Sequence, residues 1–164
     1  MTVETGLAQR IDMDKWLEKL GVSPLLGFNI DNMRYQIACH IFNSNQPMWW
    51  EVLMFDNDPT KALLMAHQLG IGEKAALNVP YLEPAEAPVY LGTMCVSMML
   101  WSNACSVAND NDIIKLRKLY HFARDMIYAE IDEVNEDVKP CIEWRIENLP
   151  IDDTQQSIAF KILD

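Results

Sequence analysis

The sequence predicts a mainly α protein, a compact multi-helix orthogonal bundle with a short β-hairpin at the C-terminus. Three observations carry that expectation. From Asp112 onward, Ile113, Leu116, Tyr120, Ala123, Ile127, Ile131 and Val134 recur at intervals of three and four, which aligns them on one face of a helix. Gly21 and Gly70 follow apolar-periodic runs as C-terminal caps, while Pro47 and Pro59 suit the first turns of new helices. The longest apolar run, Ala87 to Trp101, is interrupted by Gly92, Thr93 and Ser97 and is shorter than the roughly 20 residues of a membrane span. It reads as a central helix buried on most sides.

A chain of 164 residues, 50% hydrophobic and 23% charged, has the composition of one globular domain rather than of a disordered chain. We expect a single helical domain over residues 1–164, with a helical core at 1–139 and an acidic C-terminal extension at 140–164. In chain order, "DMDKWLEKLG" places Trp16, Leu17 and Leu20 on one side and stops at Gly21. "VSPLLGF" then breaks the chain, and "DNMRYQIACHIFN" carries Met33, Ile37 and Ile41 at spacing four, with Asp31 able to cap it. A third helix from Pro47 to about Phe55 holds Trp49 and Trp50, and "DNDP" turns into a fourth, "TKALLMAHQLG". "IGEKAALNVP" suggests one more short helix, and Pro84 or Pro88 opens the central one. After Pro140, "CIEWRIENLP" and "SIAFKILD" alternate apolar and polar residues, which suggests a hairpin connected by "PIDDTQQ". A frayed helix competes with it there.

The net charge of -11 argues against a nucleic-acid binder, which needs Lys and Arg clustered on one face. The acidity is concentrated late: Glu130, Asp132, Glu133, Glu136, Asp137, Glu143, Glu147, Asp152, Asp153 and Asp164 face only Lys139, Arg145 and Lys161. Such a run is either a solvated face or a docking surface for a basic partner. Cys39, Cys95, Cys105 and Cys141 lack zinc-site spacing and read as reduced thiols. "MTVETGLAQRIDMDKW" has no apolar segment after a basic start, so a cytoplasmic protein is expected.

No residue pattern points to catalysis, and no cofactor or metal is expected. Cys39 and His40 are adjacent on a helix and diverge by about 100°. "LGIGEK" lacks the order of a phosphate-wrapping loop, and Asp132–Glu133 has no oxygen-ligand spacing around it. Met94, Met98 and Met99 at helical spacing read as core filling rather than an adaptable groove. Trp49 and Trp50 point about a quarter-turn apart on a helix, so burying both requires cover on two sides.

Between Arg34 and Ala104, the twin tryptophan at Trp49 and Trp50, the segment "PTKALLMAHQLG" and the Trp101-Ser102 step of "LWSNA" resemble an uncharacterised all-helical bacterial family found near type VI secretion genes. The chain departs from that pattern at Asn103-Ala104, where the family has glycines, and lacks a proline-rich entry between Ser106 and Ile113. The resemblance implies an accessory protein of a toxin-delivery system, acting as immunity factor, chaperone or adaptor. It supplies no catalytic residues.

Together these features favour a non-enzymatic protein-binding module whose acidic face steers a basic toxin or secretion component, with Glu143, Trp144, Glu147, Asp152 and Asp153 as contacts. Nucleic acid and membrane are not expected partners, and homo-oligomerisation is left open. Two rivals remain: a small helical enzyme using His67 or His121 with a nearby carboxylate, and an acidic DNA mimic.

Overall fold

A computed structural model describes residues 7–43, 50–66 and 73–163. The expected bundle is corrected to a mixed α/β fold, in which six helices pack around a three-stranded antiparallel sheet and a separate two-stranded one. The sheet is built from β1 (Ala8–Asp12), β2 (Trp50–Phe55) and β3 (Asp58–Ala66), in that spatial order. Both segments expected as the tryptophan helix and the alanine-containing helix are therefore strands as far as they are described. His67 and Gly70 lie outside the described residues.

Why this region is a hairpin follows from its turn and its burial. Asp56 and Asn57 both have positive φ, 56° and 50°, and form the two-residue turn whose twist matches flanking antiparallel strands. Val52, Leu53, Met54 and Phe55 are all fully buried, and neighbours on a strand point to opposite faces. Both faces of the sheet are therefore covered, which removes the polar alternation that normally announces a strand. Leu, Met, Ala and Lys in "TKALLMA" favour helix locally, but tertiary packing overrides that preference.

The outer edge of β3 is closed by a helix. The Leu64 backbone N–H, turned away from β2, donates to Ser97 Oγ at 2.9 Å, and that hydroxyl donates to the Thr93 carbonyl at 2.8 Å. Ser97 and Thr93 belong to α3 (Val89–Ala104), the expected central helix, whose residues from Val89 to Met98 are all buried. Met94 and Met98 are core residues, as the helical spacing suggested. No helix among the described residues is long and apolar enough to cross a membrane.

Helix α1 (Met13–Leu20) ends at Gly21, which takes φ 70° and donates its N–H to the Leu17 carbonyl. It packs across the sheet, and Trp16 donates its indole N–H to the Pro59 carbonyl at 2.9 Å while lying 5.4 Å from Trp101. Helix α2 (Pro24–Ile41) begins earlier than expected: Ser23, not Asp31, caps it by accepting from the Leu26 N–H, and Pro24 stands at its first position. "SPLLGF" is thus its first turn rather than a break.

The end of α2 is sewn to the second sheet, β4 (Lys74–Leu77) against β5 (Ala85–Pro88), where a short helix was expected. Phe42 bridges to Leu77, and Asn43 donates to the Ala76 carbonyl. Helix α4 (Asp110–Tyr128) carries the strongest periodic stripe, with Leu116, Ala123 and Ile127 buried and Asn109 capping its start. Asp112 in its first turn is buried and accepts from the Ser23 N–H, which joins the starts of α4 and α2.

The C-terminal hairpin is corrected to two helices, α5 (Lys139–Asn148) and α6 (Asp153–Leu163). The apparent alternation was short, and helical geometry sorts the same residues better: Cys141, Ile142 and Trp144 go inward on α5, Ala159 and Ile162 on α6. Asp152 and Gln155 exchange side-chain to backbone hydrogen bonds of 2.8 and 3.1 Å, a reciprocal cap that starts α6.

Candidate functional site

The candidate surface is the outward side of α5 and the start of α6. Pro140, Glu143 and Glu147 recur at three and four along α5 and all face water, with Ile146 51% exposed beside them. Asp152 and Asp153 follow at the N-terminus of α6, where carboxylates are favoured by the helix dipole. None of these four carboxylates forms an ion pair among the described residues. Their acidic neighbours do: Glu136 pairs with Lys139 at 2.8 Å, and Asp137 with Lys61 at 3.7 Å. Those lysines interrupt the acidic surface; Glu130, Asp132 and Glu133 are likewise exposed and form no ion pair among the described residues, so Glu143, Glu147, Asp152 and Asp153 are the C-terminal part of a broader acidic stretch.

The linker between α5 and α6 is held from below. Tyr90, near the start of α3, donates its hydroxyl to the Pro150 carbonyl at 2.6 Å. Burial raises the Tyr90 phenol, with Arg145 pulling it back and Asp152 adding to the rise, so the phenol stays a donor at neutral pH. Arg145 is itself buried, and burial lowers its proton affinity against the opposing pull of Tyr90 and Glu130. The Tyr90 hydrogen bond ties the α5–α6 linker to α3 just ahead of Asp152 and Asp153.

Of the five expected contacts, four are exposed and one is not. Trp144 is buried and packs edge-on against Phe55 at 5.1 Å, with Phe122 on the same ring at 5.5 Å. It anchors α5 to the sheet and cannot touch a partner. The hairpin expectation put Trp144 and Ile146 on one face, whereas on a helix two residues diverge by about 200°. Ile146, one turn from Glu143, is the exposed apolar residue that sequence reasoning passed over.

Among the described residues the histidines do not assemble a site. His40 and His121 are exposed, and His67 lies outside the described residues. His121 sits edge-on to Tyr120 at 5.6 Å. Asp125, one turn further along α4, is raised by burial, with His121 and Arg124 pulling it down. The grooves along β1 and α1, between α1 and α2, and between the α1–α2 turn and α4 contain no histidine. Among the described residues no three His, Cys, Asp or Glu side chains converge as metal ligands. Trp50 is half-buried at the start of β2 beneath the Arg34 guanidinium, 5.6 Å away, and Trp49 lies outside the described residues.

Fold and surface together define a helix-rich α/β protein with exposed acids on α5 and at the start of α6. No protein-family model matches the chain, and no curated protein is significantly similar to it.

Proposed function

We propose that the protein is a non-enzymatic binding protein that docks a basic protein partner through the α5–α6 face, acting in the cytoplasm as an immunity factor, chaperone or adaptor of a bacterial toxin-delivery system. The observation that supports docking is that Glu143, Glu147, Asp152 and Asp153 are exposed and form no ion pair among the described residues, with Ile146 exposed one turn from Glu143. Carboxylates without cation partners lose no existing ion pair when a basic surface arrives, and their field accelerates encounter with it. Ile146 supplies the apolar contact that rim charges alone lack. The toxin-delivery setting rests on the resemblance between Arg34 and Ala104, and its all-helical expectation does not carry over.

The test is capture of partners from the native cells by the tagged protein, at low and high salt, beside a variant with Glu143, Glu147, Asp152 and Asp153 changed to Lys. The expected result is one stoichiometric basic partner, weakened by salt and lost from the variant, with association slowed by about tenfold or more. Equal capture by a folded variant, or no partner in either wash, overturns the reading.

A further inference from the structure

Helix α2 is apolar on two opposite sides, and the core covers only one. Leu26, Ile30, Ile37 and Ile41 are buried on the inner side. On the outer side Leu25, Phe28 and Tyr35 are 70%, 66% and 66% exposed, and Asn32 and Cys39 are exposed with them. Positions 25, 28, 32, 35 and 39 alternate spacings of three and four, the seam with which one helix packs lengthwise along another. Charge is nearly absent from this seam, since neighbouring Asp31 is paired with Arg34 at 3.0 Å. The seam carries none of the acids of the α5–α6 face.

The order of residues along the seam says what covers it. Leu25, Phe28, Asn32, Tyr35 and Cys39 are roughly symmetric about the amide: branched aliphatic, aromatic, amide, aromatic, thiol. A two-fold interface is self-complementary, so that residue i meets j and j meets i. We propose that α2 is a homodimer interface, with two copies packed antiparallel about a two-fold axis near Asn32. Phe28 then lies against Tyr35 of the partner subunit, Leu25 covers Cys39 of the partner subunit, and the two Asn32 amides hydrogen-bond across the axis. Antiparallel helices also oppose their dipoles favourably.

The available area agrees with a small dimer. An aromatic side chain offers about 150–250 Å², so Phe28 and Tyr35 at two-thirds exposure provide about 100–165 Å² each. Leu25 adds roughly 100 Å², for about 350 Å² of apolar surface per copy. The smallest specific interfaces bury about 600 Å² per partner, of which a little over half is apolar. The polar remainder is present in Asn29, Asn32 and Gln36. Beside Phe28, towards α1, lies a groove of about 430 Å³ lined by Leu17, Val22 and Phe28 together with the acids Asp14, Glu18 and Asp31.

The experiment is sedimentation equilibrium of the full chain from about 1 to 200 µM, the concentration range over which a small interface of this kind assembles. It is paired with oxidative cross-linking of Asn32→Cys in a Cys39→Ser background. A dimer with micromolar Kd is expected, together with an Asn32→Cys disulfide dimer and at least a hundredfold weaker association of Phe28→Lys/Tyr35→Lys. Both substituted positions face water, and circular dichroism confirms that the variant is folded. If it is not, Phe28→Ser/Tyr35→Ser serves in its place. A chain that stays monomeric at 200 µM, a folded variant that dimerises as before, or cross-linking through Cys39 of the unmodified chain in place of position 32 would each overturn the proposal.

Discussion

Gly92→Ala is a sharp test of how the two sheets are joined. Gly92 lies in the first turns of α3, where Phe42 after α2 bridges to Leu77 at the end of β4. A Cβ added there falls 2.6 Å from Phe42 Cζ, 2.8 Å from Phe42 Cε1 and 2.9 Å from Leu77 Cδ2. Real carbon contacts do not come so close, and both neighbours are buried at 3% or less, so neither side chain has free space to move into. Overpacking of this kind costs about 1–3 kcal/mol, and two fixed neighbours put this site in the upper half of that range. Replacing a helical Gly by Ala returns about 1 kcal/mol of helix propensity. The net expectation is about 1–2 kcal/mol of destabilisation, which lowers Tm by roughly 2–8 °C in a chain of this size. Thermal unfolding followed by circular dichroism measures it. Phe42→Leu in the same chain removes the two ring atoms that clash, so the double variant should be more stable than the sum of the single losses by about 1 kcal/mol. If Gly92→Ala raises Tm instead, helix propensity has won, and the close approach of α3 to Phe42 and Leu77 is not what stabilises this corner.

Two further perturbations read other parts of the core. Ser97→Ala removes the acceptor of the Leu64 N–H at the β3 edge and leaves a buried donor unsatisfied, costing about 1–3 kcal/mol; hydrogen exchange should show the Leu64 amide opening faster than its β2-paired neighbours, and unchanged protection would argue against α3 as the cover of that edge. Burial pushes the Cys95 thiol from 9.0 up to about 12 and Cys141 up to about 11. Above pH 9 the unfolded chain therefore sheds thiol protons that the folded chain keeps. The stabilisation is complete below pH 9 and is lost as pH climbs towards 11–12, with a slope of at most about 1.4 kcal/mol per pH unit for each thiol. Urea midpoints at pH 8 and pH 10.5 should converge for Cys95→Ala/Cys141→Ala relative to the unmodified chain, and an equal drop in both would assign the loss to other groups.

The helices that sequence reading placed well are those whose signals are local. Gly21 ends α1 because a left-handed residue is needed there, and α4 follows a stripe that one buried side requires. The hairpin at 50–66 was hidden for a physical reason. A strand buried on both faces has no alternation to show, and Pro59 behind Asp58 imitates the start of a helix. The Asp56–Asn57 pair was the one local clue, because residues that tolerate positive φ between two apolar runs suit a two-residue turn.

The candidate surface was legible in charge but not in shape. Four acids reach solvent as their type requires, since a buried carboxylate without a partner is costly. Trp144 and Ile146 exchange roles because the choice between strand and helix decides which of two residues, two positions apart, faces inward. A related ambiguity explains α2: its two apolar stripes nearly cancel any single-sided pattern, so sequence reading saw Met33, Ile37 and Ile41 and took the segment with Leu25 and Phe28 for a break in the chain. A core needs only one side of an outer helix. When the other side is apolar, uncharged and roughly symmetric in residue type, folding of one copy does not account for it, and the proposed pairing of two copies would.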